Sequence, residues 1–341
     1  MRSSGDVEAA PGGGDRLPQE VLLGRAFTAA RAGLVTEALA DLERVRQGPW
    51  QRLSDLDRAA LLTTTLDCRL ARGDLAEARS LGEELGSYGA LPGLAGAAAH
   101  YGLGILASAG GDDDRASQHF TTTAHCVDDD DDADLLPWRA EAALTAVRLG
   151  RRTEAVALAQ EQVALTRRGQ ATFGAAIGLR TLASVDPLGD GQGLLRQARA
   201  LLDHVPSTRL AAQIDTDLAG VLLLSGGGSG SGSGSVEALA LLRRAEVYAA
   251  GERLEPLQAR IRRLLARLGE QSRPLLAEAM ATLTTAEHRV AGLARAGMTN
   301  KEIAQQLAVT VKAVERHLSH VYRKLGIRSR SGLHHPLEIR A

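Results

Sequence analysis

A turn of the form Gly-x-x-x-Glu-Ala recurs along this sequence between Ala- and Leu-rich segments, and it restricts the possible folds most. The turn begins at Gly33, Gly73 and Gly150, and a degenerate copy covers residues 111–116. The four starting glycines are 40, 38 and 39 residues apart, and a weaker turn at Gly189 follows after another 39. Repeats of this length are supersecondary units that bury a core only against their neighbours. The body of the chain is therefore predicted to be an array of repeated units.

Each turn contains three residue types that suit a helical hairpin. Glycine ends one helix in the left-handed conformation, an acidic residue favours the first turn of the next helix, and alanine lets two helices approach closely. Aromatic residues make up only 3% of the chain, and a core of Leu, Ala and Val favours helices over sheets. The sequence predicts an all-α fold, a superhelical solenoid of hairpins with a period of about 39 residues. This repeat resembles tetratricopeptide-type arrays.

Composition indicates the limits of the solenoid. Residues 1–17 are polar and rich in Gly and Ser, and they are predicted to be a disordered leader rather than a signal peptide. The solenoid is predicted over residues 18–268, a linker over 269–282 and a further domain over 283–341. Residues 225–235 contain only Gly and Ser, which is the composition of a flexible tether. The sequence leaves open whether this tether is natural or introduced.

Charge is distributed unevenly between the two parts. Residues 283–341 contain ten Lys or Arg and four Glu, a formal charge of +6, whereas the preceding residues carry −7. A basic segment is the part expected to contact a polyanion. No apolar run approaches the roughly 20 residues that a membrane helix needs, and the two cysteines lack the spacing of a zinc site or a disulfide framework. We therefore predict a cytoplasmic protein without a membrane partner.

Two acidic runs, residues 112–114 and 128–132, lie near histidines and suggest a metal site. An EF-hand loop starting at Asp128 fails, because Ala133 stands where Gly is needed and Arg139 where the bidentate Glu belongs. We interpret both runs as solvated loops between helices. The sequence also contains no phosphate-binding loop, nucleophile elbow or zinc-protease motif. We predict no metal, no cofactor and no enzymatic activity.

Three helix patterns follow one another in the terminal segment. Capping boxes open the first helix at residues 284–287 and the second at residues 299–302. The first helix is expected to turn inward Ala286, Val290, Leu293 and Ala294 and to end at Gly297. After the turn at residues 308–310, Thr310 is expected to cap the third helix. Its buried stripe is predicted at Val311, Val314, Leu318, Val321, Tyr322 and Leu325, and Gly326 is expected to end it. This order predicts a helix-turn-helix with its third helix in the major groove.

The same segment resembles a known family over roughly 50 residues. The matching positions are Leu283-Thr284, Glu287, Gly297, Asn300-Lys301-Glu302-Ile303-Ala304, Val314, His317-Leu318, Tyr322-Arg323-Lys324-Leu325-Gly326 and Arg328-Ser329-Arg330. They are similar to LuxR-type, or GerE-like, helix-turn-helix domains. The resemblance implies a four-helix domain that binds double-stranded promoter or operator DNA.

The resemblance also implies which residues contact DNA. The base contacts are expected from the outer face of the third helix, that is from Lys312, Glu315, Arg316 and Ser319. The phosphate contacts are expected from Lys301, Thr310, Arg323 and Lys324, assisted by His317. Arg316 can fork onto a guanine, and Glu315 can accept a hydrogen bond from the amino group of a cytosine.

A helical array followed by this domain resembles the C-terminal portion of the large ATP-binding LuxR/MalT-like regulators. Without a phosphate-binding loop, the chain is interpreted as a fragment or a shortened member of that group. In the family a fourth helix commonly supplies the dimer contact, but Gly332 and residues 334–336 interrupt its pattern here. A homodimer would then form through the solenoid instead.

These features predict a bacterial transcription regulator that binds specific DNA sequences. The solenoid groove is expected to receive the signal, either a small molecule or a protein. The alternative is a helical-repeat scaffold for other proteins, in which the DNA-binding domain is not essential.

Overall fold

The computed structural model describes residues 18–127, 133–168, 171–225, 233–269, 283–295, 298–307 and 309–325. Within these ranges every regular element is a helix, which confirms the predicted all-α class. The chain divides into two compact units. The first extends to Gly189 and also includes Ala200–Thr208, and the second includes Asp190–Arg199 and the chain from Arg209 onward.

The helices of the body alternate with short connections along the chain. Their bounds are α1 (Gln19–Ala32), α2 (Val35–Gln47), α3 (Asp55–Arg72), α4 (Leu75–Leu85), α5 (Gly93–Ala109), α6 (Asp113–Cys126), α7 (Trp138–Arg148), α8 (Arg152–Arg168), α9 (Thr172–Val185), α10 (Gly191–Leu201), α11 (Thr208–Ser225), α12 (Ser233–Gly251) and α13 (Glu255–Arg267). In the first unit the pairs α1 with α2, α3 with α4, α5 with α6 and α7 with α8 pack as hairpins, and successive pairs pack on one another. The predicted array of helical hairpins is confirmed there.

The repeated turn has the predicted geometry in all four copies. Its glycine lies in the left-handed region, with φ of 88° at Gly33, 87° at Gly73, 80° at Gly111 and 78° at Gly150. The alanine five residues later is fully buried in every copy, at Ala38, Ala78, Ala116 and Ala155. A small buried side chain at this position allows the two helices of a hairpin to pack closely.

The turn from α12 to α13 has the same capping without glycine. Arg253 adopts a φ of 59°, and the N–H of Leu254 donates to the carbonyl oxygen of Ala249 at 2.8 Å. A residue with a Cβ is disfavoured in this conformation. The sequence pattern missed this turn because the pattern depends on glycine.

The centre of the first unit is packed around α5. Gly104 of α5 lies against the ring of Phe120 on α6, and a Cβ at this glycine would stand 2.5 Å from Cε1 of the ring. Gly102, on the same helix, faces Thr63 of α3 and Leu85 of α4 at similarly short distances. Glycine in α5 therefore lets three neighbouring helices approach it closely.

Long-range contacts connect the first helix of this unit to its later helices. The Arg31 guanidinium lies 4.5 Å from the centre of the Phe173 ring and forms an ion pair with Asp134. The same carboxylate accepts a hydrogen bond from the N–H of Gly174 at 2.7 Å, and the Thr208 hydroxyl donates to the carbonyl oxygen of Ala32 at 2.6 Å. The end of α1 thus contacts the beginning of α9.

Several predicted features of the body have a different outcome. Helix α12 begins at Ser233, so the last three residues of the predicted tether are helical. Serine is favoured at a helix start because its hydroxyl can accept a hydrogen bond from a free N–H group, and glycine is tolerated there. The acidic residue Asp112 caps α6 by accepting a hydrogen bond from the N–H of Arg115 at 3.1 Å. Residues 1–17, 128–132 and 226–232 lie outside the described residues, as does most of the predicted linker.

None of the helices described here combines the length and the apolar character that crossing a bilayer requires. The domain limits drawn from composition remain a prediction.

Candidate nucleic-acid interface

Three helices form the described part of the terminal segment. They are α14 (Thr285–Arg295), α15 (Asn300–Gln306) and α16 (Val311–Leu325). Their shared core consists of Val290, Ala291, Ala294, Ile303, Ala304, Val314, Leu318 and Val321. Both α14 and α15 pack against α16, so the longest helix is held by the other two. This is the predicted helix-turn-helix order.

Side-chain caps begin each of these helices as predicted. The Thr284 N–H donates to the Glu287 carboxylate at 2.8 Å, and the Glu287 N–H donates to the Thr284 hydroxyl at 3.3 Å. Thr299 and Glu302 form the same reciprocal capping box before α15. Thr310 accepts a hydrogen bond from the N–H of Ala313 at 3.2 Å. The start of α16 is therefore fixed by its own first turn.

Two residues predicted to be buried are exposed. Val311 is 38% exposed, because it is the first residue of α16 and lies beside the turn rather than over the core. Ala286 is exposed as well, and its neighbour Glu287 takes the inward position with only 4% exposure. Of the predicted inward residues of α14, Val290 and Ala294 are buried and Leu293 is partly buried, whereas Glu287 and Ala291 complete the inward face in place of Ala286. The side chain of Leu325 and the residue Gly297 lie outside the described residues.

The buried carboxylate of Glu287 connects the first and third helices of the domain. It accepts from Nζ of Lys324 at 2.6 Å, and Nδ1 of His320 lies 3.8 Å away. The hydrogen bond from Lys324, together with the backbone N–H of Thr284, lowers the pKa of Glu287 from 4.5 to about 2. The sequence assigned Lys324 to the DNA backbone, and the structure shows that its ammonium group also holds the end of α16 against the start of α14.

The outer face of α16 presents polar and charged side chains at helical spacing. Its exposed residues include Lys312, Glu315, Arg316, Ser319 and Arg323. Within the described part of the chain, no side chain pairs with the cationic groups of this face. The Ser319 hydroxyl donates to the carbonyl oxygen of Glu315 at 2.9 Å, which leaves its oxygen lone pairs available as acceptors.

The remaining predicted residues lie around this face. Lys301 is exposed in the first turn of α15, and Thr310 is exposed at the start of α16. His317 is half-buried, as is Lys324. All nine predicted residues therefore lie at exposed or half-buried positions, and one of them, Lys324, is already bonded to Glu287. The interrupted fourth helix lies outside the described residues.

Comparison with known families agrees with this geometry. Residues 281–336 match the family of bacterial regulatory proteins called the luxR family. This segment is a luxR-type helix-turn-helix domain. Relatives from Mycobacterium bovis and Mycobacterium tuberculosis, which are named as HTH-type transcriptional regulators, are 45% identical to this chain over 62 residues. The matched segment covers 18% of this chain but only 7% of each relative, so the likeness concerns the luxR-type domain and not the whole proteins.

Solved structures similar to the chain include a tetratricopeptide repeat protein and a Rap protein. A tetratricopeptide repeat protein from Parabacteroides merdae is 14% identical, with 74% of this chain and 92% of that chain covered at a TM-score of 0.35. A Rap protein, in complex with the competence and sporulation factor, is 15% identical, with 91% and 97% covered at a TM-score of 0.34. Both TM-scores are below 0.5, so the evidence for the repeats is the packing of the helices in this chain itself.

We expect Glu287→Gln to destabilise the luxR-type domain at neutral pH and to matter progressively less in acid. Because the pKa of Glu287 is lowered from 4.5 to about 2, the stabilisation from its ionised form is complete above pH 4.5 and disappears as the pH falls to 2. Hydrogen exchange of peptides from α14 and α16 should show the largest loss of protection in the variant above pH 4.5.

The comparison is made between the two proteins at equal pH, so the intrinsic pH dependence of exchange cancels. Glu315→Gln removes an exposed carboxylate from the same domain and serves as the matched control. If the difference caused by Glu287→Gln is as large at pH 2 as at pH 6, the carboxylate does not act through its charge.

Proposed function

We propose that this protein is a transcription regulator that binds specific DNA sequences through α16. The observation that carries the proposal is the outer face of this helix, where Lys312, Arg316 and Arg323 are exposed while the opposite face packs into the core of the domain. An α-helix presented in this way fits the major groove, where each base pair shows a distinct set of donors and acceptors.

The proposed roles follow from side-chain chemistry and position. Arg316 is proposed to read a guanine with two hydrogen bonds, and Glu315 to accept from the amino group of a cytosine. Lys312 and Ser319 lie on the same face and are proposed to contact neighbouring bases. Arg323, four residues beyond Ser319 on this face, is proposed to bind a phosphate.

Residues outside this face are proposed to position the domain on the DNA backbone. Lys301 lies in the first turn of α15, and Thr310 immediately precedes α16. Both can therefore face phosphates beside the major groove. His317 is proposed to assist them. For Lys324 we propose an additional role, because its bond to Glu287 holds α16 in place and so fixes the angle at which the helix meets DNA.

The test is selection of duplex DNA from a random pool by the full chain, followed by affinity measurements at several salt concentrations. We expect one enriched sequence, bound with a salt dependence that reflects phosphate neutralisation by Lys301 and Arg323. Two such contacts correspond to a slope of about −1.8 in log K against log salt for each copy of the domain. The proposal fails if no sequence is enriched and binding shows no salt dependence.

For the rest of the chain we propose that the helical repeats receive the regulatory signal, that the protein acts in the cytoplasm and that it has no catalytic activity. We further propose that two copies bind two half-sites, which would lie roughly 34–36 Å apart on one side of the duplex. Native mass spectrometry of the protein on its selected DNA measures this stoichiometry, and a single copy on a single half-site would contradict it.

A further inference from the structure

A groove between α11 and α13 lies within the second unit, and its lining residues precede the luxR-type domain in the chain. Its lining includes Asp217, Gly220 and Leu224 from α11 and Arg260, Arg263 and Arg267 from α13. The groove encloses about 330 Å³, near the lower limit of roughly 300 Å³ for small-molecule sites.

The charge of this groove is positive and only partly neutralised. Arg260 forms an ion pair with the buried carboxylate of Asp217. Arg263 and Arg267 lie one helical turn apart on the same side of α13, and neither has a hydrogen-bond or ion-pair partner in the part of the chain that the structure describes. Two guanidinium groups on adjacent turns can bind the oxygen atoms of one phosphate or carboxylate together.

The floor of the groove is open because of Gly220. A Cβ at this position would stand 4.0 Å from Cδ2 of Leu264, which is ordinary van der Waals contact. Glycine inside a helix is less stable than alanine, and helix packing does not require it here, unlike at Gly104. The residue therefore costs stability and leaves space in the groove.

The edge of the groove is apolar. Leu224 is 76% exposed, and Val221 lies beside it on the same face of α11. An apolar wall next to unpaired guanidinium groups matches a ligand that has one anionic group and one apolar part.

We propose that this groove binds a small organic anion, with a phosphate or carboxylate group held by Arg263 and Arg267 and an apolar body against Gly220 and Leu224. The residues of this site are not among the proposed DNA contacts, and its occupancy is measured without DNA. Failure of the site would therefore leave the DNA-binding proposal untouched, and failure of DNA binding would leave the site untouched.

Phenyl phosphate, which has eleven non-hydrogen atoms, is the probe, titrated into the full chain by calorimetry beside phenol and inorganic phosphate. We expect phenyl phosphate to bind at least tenfold more tightly than either part alone. The double variant Arg263→Gln, Arg267→Gln should weaken its binding at least tenfold, whereas Arg262→Gln, on the same helix but outside the groove, should leave it unchanged.

A second variant tests the apolar part. Gly220→Leu should fill the floor of the groove and abolish binding of phenyl phosphate. The circular dichroism spectrum of this variant should match that of the parent protein, and its thermal midpoint should be at least as high. The proposal is overturned if phenyl phosphate does not bind, if inorganic phosphate binds equally well, or if Arg262→Gln weakens binding as much as the double variant.

Discussion

Replacing Arg316 with alanine is expected to weaken binding of the full chain to its selected DNA site by about 5- to 150-fold, the range that corresponds to 1–3 kcal/mol for one forked contact with a base. Arg316 is exposed on the outer face of α16, and its guanidinium has no partner in the described part of the chain. Alanine favours helices more than arginine does. The loss would therefore come from the missing contact and not from unfolding of the helix.

The measurement is fluorescence anisotropy with the selected duplex and with an unrelated duplex, both at one salt concentration. Arg289→Ala is the matched control, because Arg289 is an exposed arginine on α14 in the same domain. We expect this control to weaken binding to both duplexes slightly and equally. Equal weakening of binding to both duplexes by Arg316→Ala would show that the residue contacts phosphate and does not read a base.

Replacing Gly104 with alanine is expected to destabilise the first unit by about 1–3 kcal/mol, the usual cost of inserting a methyl group into a filled core. Helix propensity alone predicts the opposite sign, because glycine is less stable than alanine within a helix by roughly 0.5–1 kcal/mol. The new Cβ would stand 2.5–2.9 Å from three atoms of the Phe120 ring. Since Phe120 is only 1% exposed, the ring has no free space into which it can move.

The sign of this effect should reverse when the ring is absent. Phe120→Ala alone is expected to destabilise by about 3–5 kcal/mol, as other removals of buried aromatic side chains do. In the Phe120→Ala background, Gly104→Ala should stabilise the first unit by about 0.5–1 kcal/mol. The clash with the ring is then absent, and only the higher helix propensity of alanine remains. Unfolding in urea can be followed by tryptophan fluorescence, since both tryptophans of the chain, Trp50 and Trp138, lie in the first unit.

This double-mutant cycle separates packing from backbone preference. We expect a coupling of at least about 1.5 kcal/mol between the two positions. This value adds the smallest expected destabilisation by Gly104→Ala with the ring present to the smallest expected stabilisation without it. A coupling of this size is typical of residues in direct contact. Additive effects would show that α5 and α6 do not pack through these two residues.

The regular parts of the body could be predicted because their determinants are local. The glycine that starts each turn ends a helix through its own φ, and the alanine five residues later needs only the neighbouring helix to be buried. The capping boxes of α14 and α15 likewise involve residues three positions apart. Local patterns of this kind predicted the helices, their order and the exposed face of α16.

Features that depend on distant residues could not be predicted in the same way. Lys324 and Glu287 are 37 residues apart, and only their contact explains why a carboxylate and not Ala286 faces the core of the luxR-type domain. Arg31 and Phe173, which are also in contact, are much farther apart in the chain. Neither pair has a signal in local periodicity.

The sequence by itself determined the all-α class, the repeat and the residues that α16 exposes, because these features depend on residue spacing within one or two helical turns. Tertiary structure decided which polar residues pair inside the protein and which remain available. It placed Lys324 on Glu287 and packed Gly104 against Phe120, and it left Arg263 and Arg267 beside the open floor at Gly220. The physical reason is that side-chain pairing and steric fit depend on the three-dimensional arrangement of helices, which spacing along the chain does not specify.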